Sequence, residues 1–153
     1  MSEALRDYIR PEHVRLHLEG TDKLSLVREL IGVLVESGAV RDAAEVEQAV
    51  RSREDEMSTG LHDGIAMPHC KSRTVSDMQV AIGLKREGVE FSAVDGMASR
   101  IFILLVCPEN QPAKHIRFIT AITRRLRDPA VRQALVRATS VPEVLVLLAG
   151  ADS

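Results

Sequence analysis

Tryptophan is absent from this 153-residue chain, and aromatic residues are scarce, with one Tyr and three Phe. Its core must therefore be packed from Leu, Val, Ile and Ala. Cysteine is scarce too. Cys70 and Cys107 stand far apart and outside any CxxC pattern, which excludes a disulfide framework and points to a reducing compartment. Charge of one sign is lacking: 20 Lys and Arg against 22 Asp and Glu give a formal net charge of -2. A general nucleic-acid surface would need a basic excess, so that class is set aside. The small cluster Arg124, Arg125 and Arg127 reads as a solvated helix face. Long apolar runs are missing as well. The stretch 101–107 is far short of the ~20 residues a membrane span needs, and the first residues carry no apolar run of signal-peptide type. Neither repeats nor low-complexity linkers interrupt the sequence. The expectation is a cytoplasmic chain with no direct membrane insertion, folded as one domain over residues 1–153.

What the sequence does have is periodicity. Leu24, Val27, Leu30, Ile31, Leu34 and Val35 recur at helical spacing and predict a helix over about 22–37, stopped by Gly38. Asp42 is an N-cap candidate for a second helix reaching about residue 53, with Ala43, Val46, Ala49 and Val50 on one face. Residues 58–64 read as a loop. Residues 65–67 predict a short strand stopped by Pro68, whose ring forces the residue before it to be extended. A second strand is expected over 78–84, then a turn over 85–88 and brief pairing over 89–91. Residues 100–107 are apolar almost throughout, as a central strand buried on both faces should be. Helices follow over about 113–127, from the N-cap Asp128 with Pro129 at its first position, and after the capping-box pattern Ser140-Val141-Pro142-Glu143. Residues 14–18 alternate and can add an edge strand. The expected fold is an α/β sandwich with a mixed central sheet covered by helices on both faces.

Three features carry chemistry. The first is Gly64-Ile65-Ala66-Met67-Pro68-His69, in which a strand delivers a histidine just past its end. Open sheets place sites at strand ends, and neutral imidazole has a lone pair near pH 7. The second is Arg53-Glu54 followed by Ser58-Thr59-Gly60. It offers a guanidinium that matches phosphate oxygens, together with hydroxyl and backbone donors beside a glycine. The third is His115, near the start of a predicted helix, where anions are favoured. Each has an ordinary alternative, respectively a loop histidine, a surface ion pair and a first-turn residue.

Taken together, Arg53-Glu54, Ser58-Thr59-Gly60, the GIAMPH run and His115 resemble enzyme IIA of the fructose/mannitol type. Such proteins belong to the bacterial phosphoenolpyruvate-dependent phosphotransferase system, nitrogen-regulatory branch included. The resemblance covers nearly the whole chain, Asp95-Gly96 and residues 91–108 among it. It implies that His69 is the phosphorylated histidine, His115 the supporting histidine and Arg53 the group that neutralises phosphate charge. It implies an HPr-type phosphocarrier as donor and an enzyme IIB, or a regulatory target, as acceptor. No metal or organic cofactor is implied.

Leu61-His62-Asp63 departs from the family's smaller, glycine-containing stretch and brings an extra imidazole, read as an exposed loop residue. Cys70 follows His69 directly and is expected to point elsewhere, although an exposed thiol there would be open to oxidation. Two other function classes compete. One is a zinc hydrolase drawing on His62, Asp63, His69 and His115; the other is a binding module that keeps the fold without the chemistry.

Overall fold

A computed structural model describes residues 3–149. The ends of the predicted domain, 1–2 and 150–153, lie outside the described residues. In chain order the elements are α1 (Glu3–Tyr8), β1 (Val14–Arg15), α2 (Lys23–Glu36), α3 (Ala43–Glu56), β2 (Ile65–Ala66), β3 (His69–Lys71), β4 (Gln79–Val89), β5 (Ser99–Cys107), α4 (Pro112–Leu126), α5 (Pro129–Arg137) and α6 (Val141–Ala149). A 3-10 turn, Pro11–His13, precedes β1.

The helix starts follow local chemistry. Asp22 caps α2 with a full capping box, its side chain accepting from Ser25 N and Ser25 Oγ contacting the Asp22 backbone. Asp42 accepts from Glu45 N to start α3, and Asp128 accepts from Ala130 N ahead of Pro129 to start α5. Ser140 Oγ accepts from Glu143 N, while the Glu143 carboxylate takes the N–H of Thr139 rather than that of Ser140. The capping box predicted there is thus displaced by one residue.

The sheet is mixed. β1 runs parallel to β4, β4 antiparallel to β5, and both β2 and β3 parallel to β5. β2 and β3 lie end to end along the same side of β5, against Ile101–Phe102 and then Leu105–Cys107. They form one edge strand interrupted at Met67-Pro68. β5 is buried at every position except Arg100. Its alternate side chains feed two cores. Ile101, Ile103, Leu105 and Cys107 pack with α1, α4, α5 and α6; Phe102, Leu104 and Val106 pack with α2 and α3. A period of two sends successive residues to opposite faces, so a central strand must be apolar throughout. Helices cover both faces, as expected.

Three expectations need correction. The turn predicted over 85–88 is part of β4. Gly88, at φ +81, and a register shift between Leu84 and Val89 make a bulge there, and the chain reverses only in the loop after Val89. Arg86 is held at that bulge because its guanidinium donates to the carbonyls of Val136 and Arg137. His69 lies past the end of β2 as expected, but it also begins β3, which three residues of ladder pairing make a strand without any apolar alternation to announce it. Finally, α1 has no counterpart in the predicted elements. Its Leu5 and the following Ile9 are buried against the α4 side, but so short a helix offers too little periodicity to read.

Candidate functional site

The break in the edge strand positions His69. Met67 is extended because it precedes Pro68, and its N–H bonds to Thr59 O at 2.9 Å. Leu105 N bonds to Pro68 O at 3.0 Å and keeps the interrupted strand on β5. The Met67 carbonyl is left for His69 Nδ1, which stands 3.0 Å away. A carbonyl can only accept, so Nδ1 carries the proton and Nε2 holds the lone pair. The hydrogen bond thus selects which nitrogen can act as nucleophile.

Strand alternation then chooses the face. His69 pairs with Leu105, which belongs to the core on the α4 side, whereas the next residue, Cys70, packs with α2 and α3. His69 therefore meets His115 of α4, edge to face, with ring centroids 5.5 Å apart. His115 is half-buried. Its pKa lies below the ordinary histidine value, first because burial penalises the charged form, then because His69 and Lys71 are nearby. It rests as neutral imidazole. Its Nε2 is buried without a hydrogen-bond partner, and so is Oε1 of Gln111, one helical turn earlier.

Arg53 sits in the last turn of α3, the helix that packs along β3. Its Nη1 donates to Met57 O at 2.8 Å, closing the helix C-terminus. Nε and Nη2 have no protein acceptor among the described residues. Arg53 does not pair with Glu54. Glu54 pairs instead with Lys23 of α2 at 2.8 Å, its side chain only 8% exposed. The same carboxylate accepts from Thr59 N at 3.1 Å and from Thr59 Oγ1.

Ser58-Thr59-Gly60 lies beside the site, but its two hydroxyls and the N–H groups of Thr59 and Gly60 are committed to protein. Ser58 Oγ donates to Phe91 O at 2.8 Å and accepts from Gly60 N at 3.1 Å. Both Thr59 donors go to Glu54. Gly60 is required by close approach, because a Cβ there would stand 2.6 Å from Phe91 O. The segment is a brace: Lys23 holds Glu54, Glu54 holds Thr59, and Thr59 holds the strand whose Met67 carbonyl orients His69.

Of the four residues of the hydrolase alternative only His69 and His115 come together. His62 is exposed. Asp63, with φ +65, donates its N–H to Asp95 Oδ2 at 3.0 Å and lies 3.8 Å from Arg132. Among the described residues no three His, Cys, Asp or Glu side chains come together to hold a metal ion. Cys70 is buried, and burial pushes its thiol up to about 12, so the oxidation-prone surface thiol considered for it is not what the fold provides.

The sequence reading missed Lys23, Gln111 and the backbone carbonyl of Met67. The i,i+4 spacing of Gln111 and His115 on a helix was a usable signal. Nothing in the sequence pointed to Lys23, since α2 meets the end of α3 only through the tertiary fold.

The chain matches the family model described as "Phosphoenolpyruvate-dependent sugar phosphotransferase system, EIIA 2" over residues 7–150. It is 30% identical over 138 residues to the fructose-specific EIIA component of the phosphotransferase system from Haloferax volcanii, covering 90% of each chain. Some curated relatives are much longer: the chain spans 21% of the fructose-specific EIIABC component of Bacillus subtilis. Among solved structures it is similar to nitrogen regulatory protein IIA-Ntr from Neisseria meningitidis, with a TM-score of 0.87, 28% identity and coverage of 94% of this chain and 98% of that one. It is also similar to Escherichia coli enzyme IIAMTL, solved in complex with phosphorylated enzyme IIBMTL. There the TM-score is 0.79 and the identity 32%, with 93% and 97% of the two chains covered.

Proposed function

The chain belongs to the EIIA 2 family of the phosphoenolpyruvate-dependent sugar phosphotransferase system, and from that premise we propose that it is a phosphocarrier whose acceptor atom is Nε2 of His69. The observation that carries this reading is the contact between His69 Nδ1 and the Met67 carbonyl, 3.0 Å, beside a second imidazole. A phosphohistidine on an HPr-type donor presents its phosphorus in line with the His69 lone pair. The donor's N–P bond breaks as the Nε2–P bond forms, and the proton stays on Nδ1, hydrogen-bonded to Met67 O. Because the bond broken and the bond made are alike, the protein's work is positioning and charge stabilisation.

The uncommitted guanidinium nitrogens of Arg53 and the first turn of α4 supply that stabilisation. His115, neutral at rest, gains a reason to take up a proton when a phosphoryl dianion arrives beside it. Ser58, Thr59 and Gly60 act by bracing Met67 rather than by direct contact with phosphate. The acceptor is an enzyme IIB component. The complex of the similar IIAMTL with phosphorylated IIBMTL supports this partner, and the similarity to IIA-Ntr supports a regulatory target as the second reading.

The test is incubation of the protein with phosphoenolpyruvate, enzyme I and an HPr-type carrier, followed by intact-mass analysis. One acid-labile phosphoryl group is expected, absent in His69→Ala. Full labelling of that variant would overturn the assignment. In the same assay Arg53→Ala should slow transfer by the equivalent of ~2–4 kcal/mol, the range of preorganised electrostatic donors.

A further inference from the structure

Four buried side-chain polar atoms lack a hydrogen-bond partner among the described residues, and two of them flank the same turn of α4: Gln111 Oε1 and His115 Nε2. Buried polar atoms are nearly always satisfied, so such a pair calls for an explanation. The two are chemically complementary. Oε1 can only accept, and Nε2 can donate whenever it carries a proton. Gln111 and His115 are four residues apart, joined by the helical bond from His115 N to Gln111 O at 3.3 Å, and side chains at that spacing lie on one face. Gln111 is the N-cap of α4, yet its side chain makes no capping bond, so the carboxamide is not spent on the helix. The outer ends of both side chains, His115 Nδ1 and the Gln111 amide nitrogen, have no protein partner but reach solvent.

We propose that Gln111 is a positioning residue for His115, its Oε1 accepting a hydrogen bond from His115 Nε2–H in the resting protein in solution and keeping it when a phosphoryl group occupies His69. The inference rests on the phosphocarrier reading. The terminal torsion of a glutamine is soft, which leaves the carboxamide free to turn toward the ring. With Nε2–H satisfied on the buried side, His115 takes a solvent proton at Nδ1 and donates from there to a phosphoryl oxygen. Second groups of this kind commonly fix the tautomer and orientation of a working histidine. The charged or titratable groups acting on His115 are His69 and Lys71, both of β3. On its own helix, Lys114 is engaged by Asp77 at 2.5 Å. At rest these neighbours and burial hold the ring neutral, and phosphorylation of His69 reverses the sign of the local charge.

The test is nitrogen-15 NMR of the histidines in the full chain, before and after enzymatic phosphorylation. In wild type the neutral His115 ring should carry its proton on Nε2, and its pKa should rise on phosphorylation. Gln111→Leu, which deletes the acceptor at similar volume, should mix the two tautomers. It should also lower the His115 pKa in the phosphorylated protein by about one unit and slow transfer about tenfold below neutral pH. Gln111→Glu restores an acceptor with charge and should raise that pKa above wild type. An unchanged tautomer and pKa in Gln111→Leu overturn the proposal, whatever happens to the rate. The resting tautomer is measured without any phosphoryl transfer. A wild-type protein that is never labelled at His69 therefore counts against the phosphocarrier reading, separately from the outcome for Gln111.

Discussion

β5 and the interrupted edge strand beside it are built on opposite rules. β5 is buried at all but one position, is paired along both sides and sends side chains into two cores. The edge strand is two short pieces separated by Met67-Pro68, and it carries the histidine. An edge strand pairs along one side and leaves alternate carbonyls without a ladder partner. At the break the Met67 carbonyl is such a group, and the fold uses it to set the protonation of His69. On the proposed phosphocarrier role, stability is concentrated in the continuous strand and chemistry in the discontinuous one, so substitutions in the two should separate stability from transfer.

The largest effect is expected in the centre. Phe102 is fully buried between β5 and the α2–α3 layer, its ring 5.7 Å from that of Phe91. Phe102→Ala should cost ~3–5 kcal/mol in urea unfolding, and transfer should fall only as far as the folded fraction does. A smaller loss of stability with a disproportionate loss of transfer would break the division of labour.

Next is the brace. Glu54→Ala removes the partner of Lys23 and of both Thr59 donors. It should cost ~1–3 kcal/mol by leaving polar groups unpaired and should also slow phosphoryl transfer, because Thr59 ties down Met67. Retention of full transfer rate in the folded protein would detach the brace from the site.

Pro68→Ala sharpens the comparison further. Its stability cost should stay within about 1 kcal/mol, while the His69 tautomer, read by nitrogen-15 NMR, loses its single form. A unique Nδ1–H tautomer surviving in that variant would show that the proline is dispensable for orientation.

The opposite edge offers the mildest contrast. His13 precedes β1 and is buried, with Nε2 at 2.7 Å from Ser37 Oγ. Burial holds its pKa below the ordinary 6.5. The unfolded chain therefore binds a proton more readily than the folded one, so stability is complete above about 6.5 and is lost as pH falls below it toward the depressed folded value. His115 contributes with the same sign. Urea midpoints from pH 7.5 to 5 should decline, and the decline should be shallower in His13→Gln. Equal slopes would remove His13 from the effect.

Much of the fold was legible because local signals agreed. Asp42 and Asp128 cap the helices they were expected to cap, and residues 100–107 read as a central strand because burial on both faces demands apolar side chains throughout. The bulge at Gly88 and the pairing of His69–Lys71 were not legible. Both are decided by partners distant in sequence, Arg86 against α5 and β3 against β5. At the site, the residue types were visible while their connections were not. Ser58, Thr59 and Gly60 looked like phosphate donors because hydroxyls and glycine near a histidine suit an anion. In the fold the Ser58 hydroxyl donates to Phe91, both Thr59 donors go to Glu54 and Gly60 N donates to Ser58 Oγ.

By itself, then, the sequence determined helices α2 to α6, the central strand and the presence of His69, Arg53 and His115, since these follow from local propensity, periodicity and residue chemistry. Only the tertiary structure decided which nitrogen of His69 is free and which face of the sheet it uses. It also decided that Glu54 answers to Lys23 and that Gln111 and His115 leave complementary atoms unpaired. Those outcomes depend on which carbonyls and carboxylates come within hydrogen-bond reach, and that is a property of packed elements rather than of neighbours along the chain.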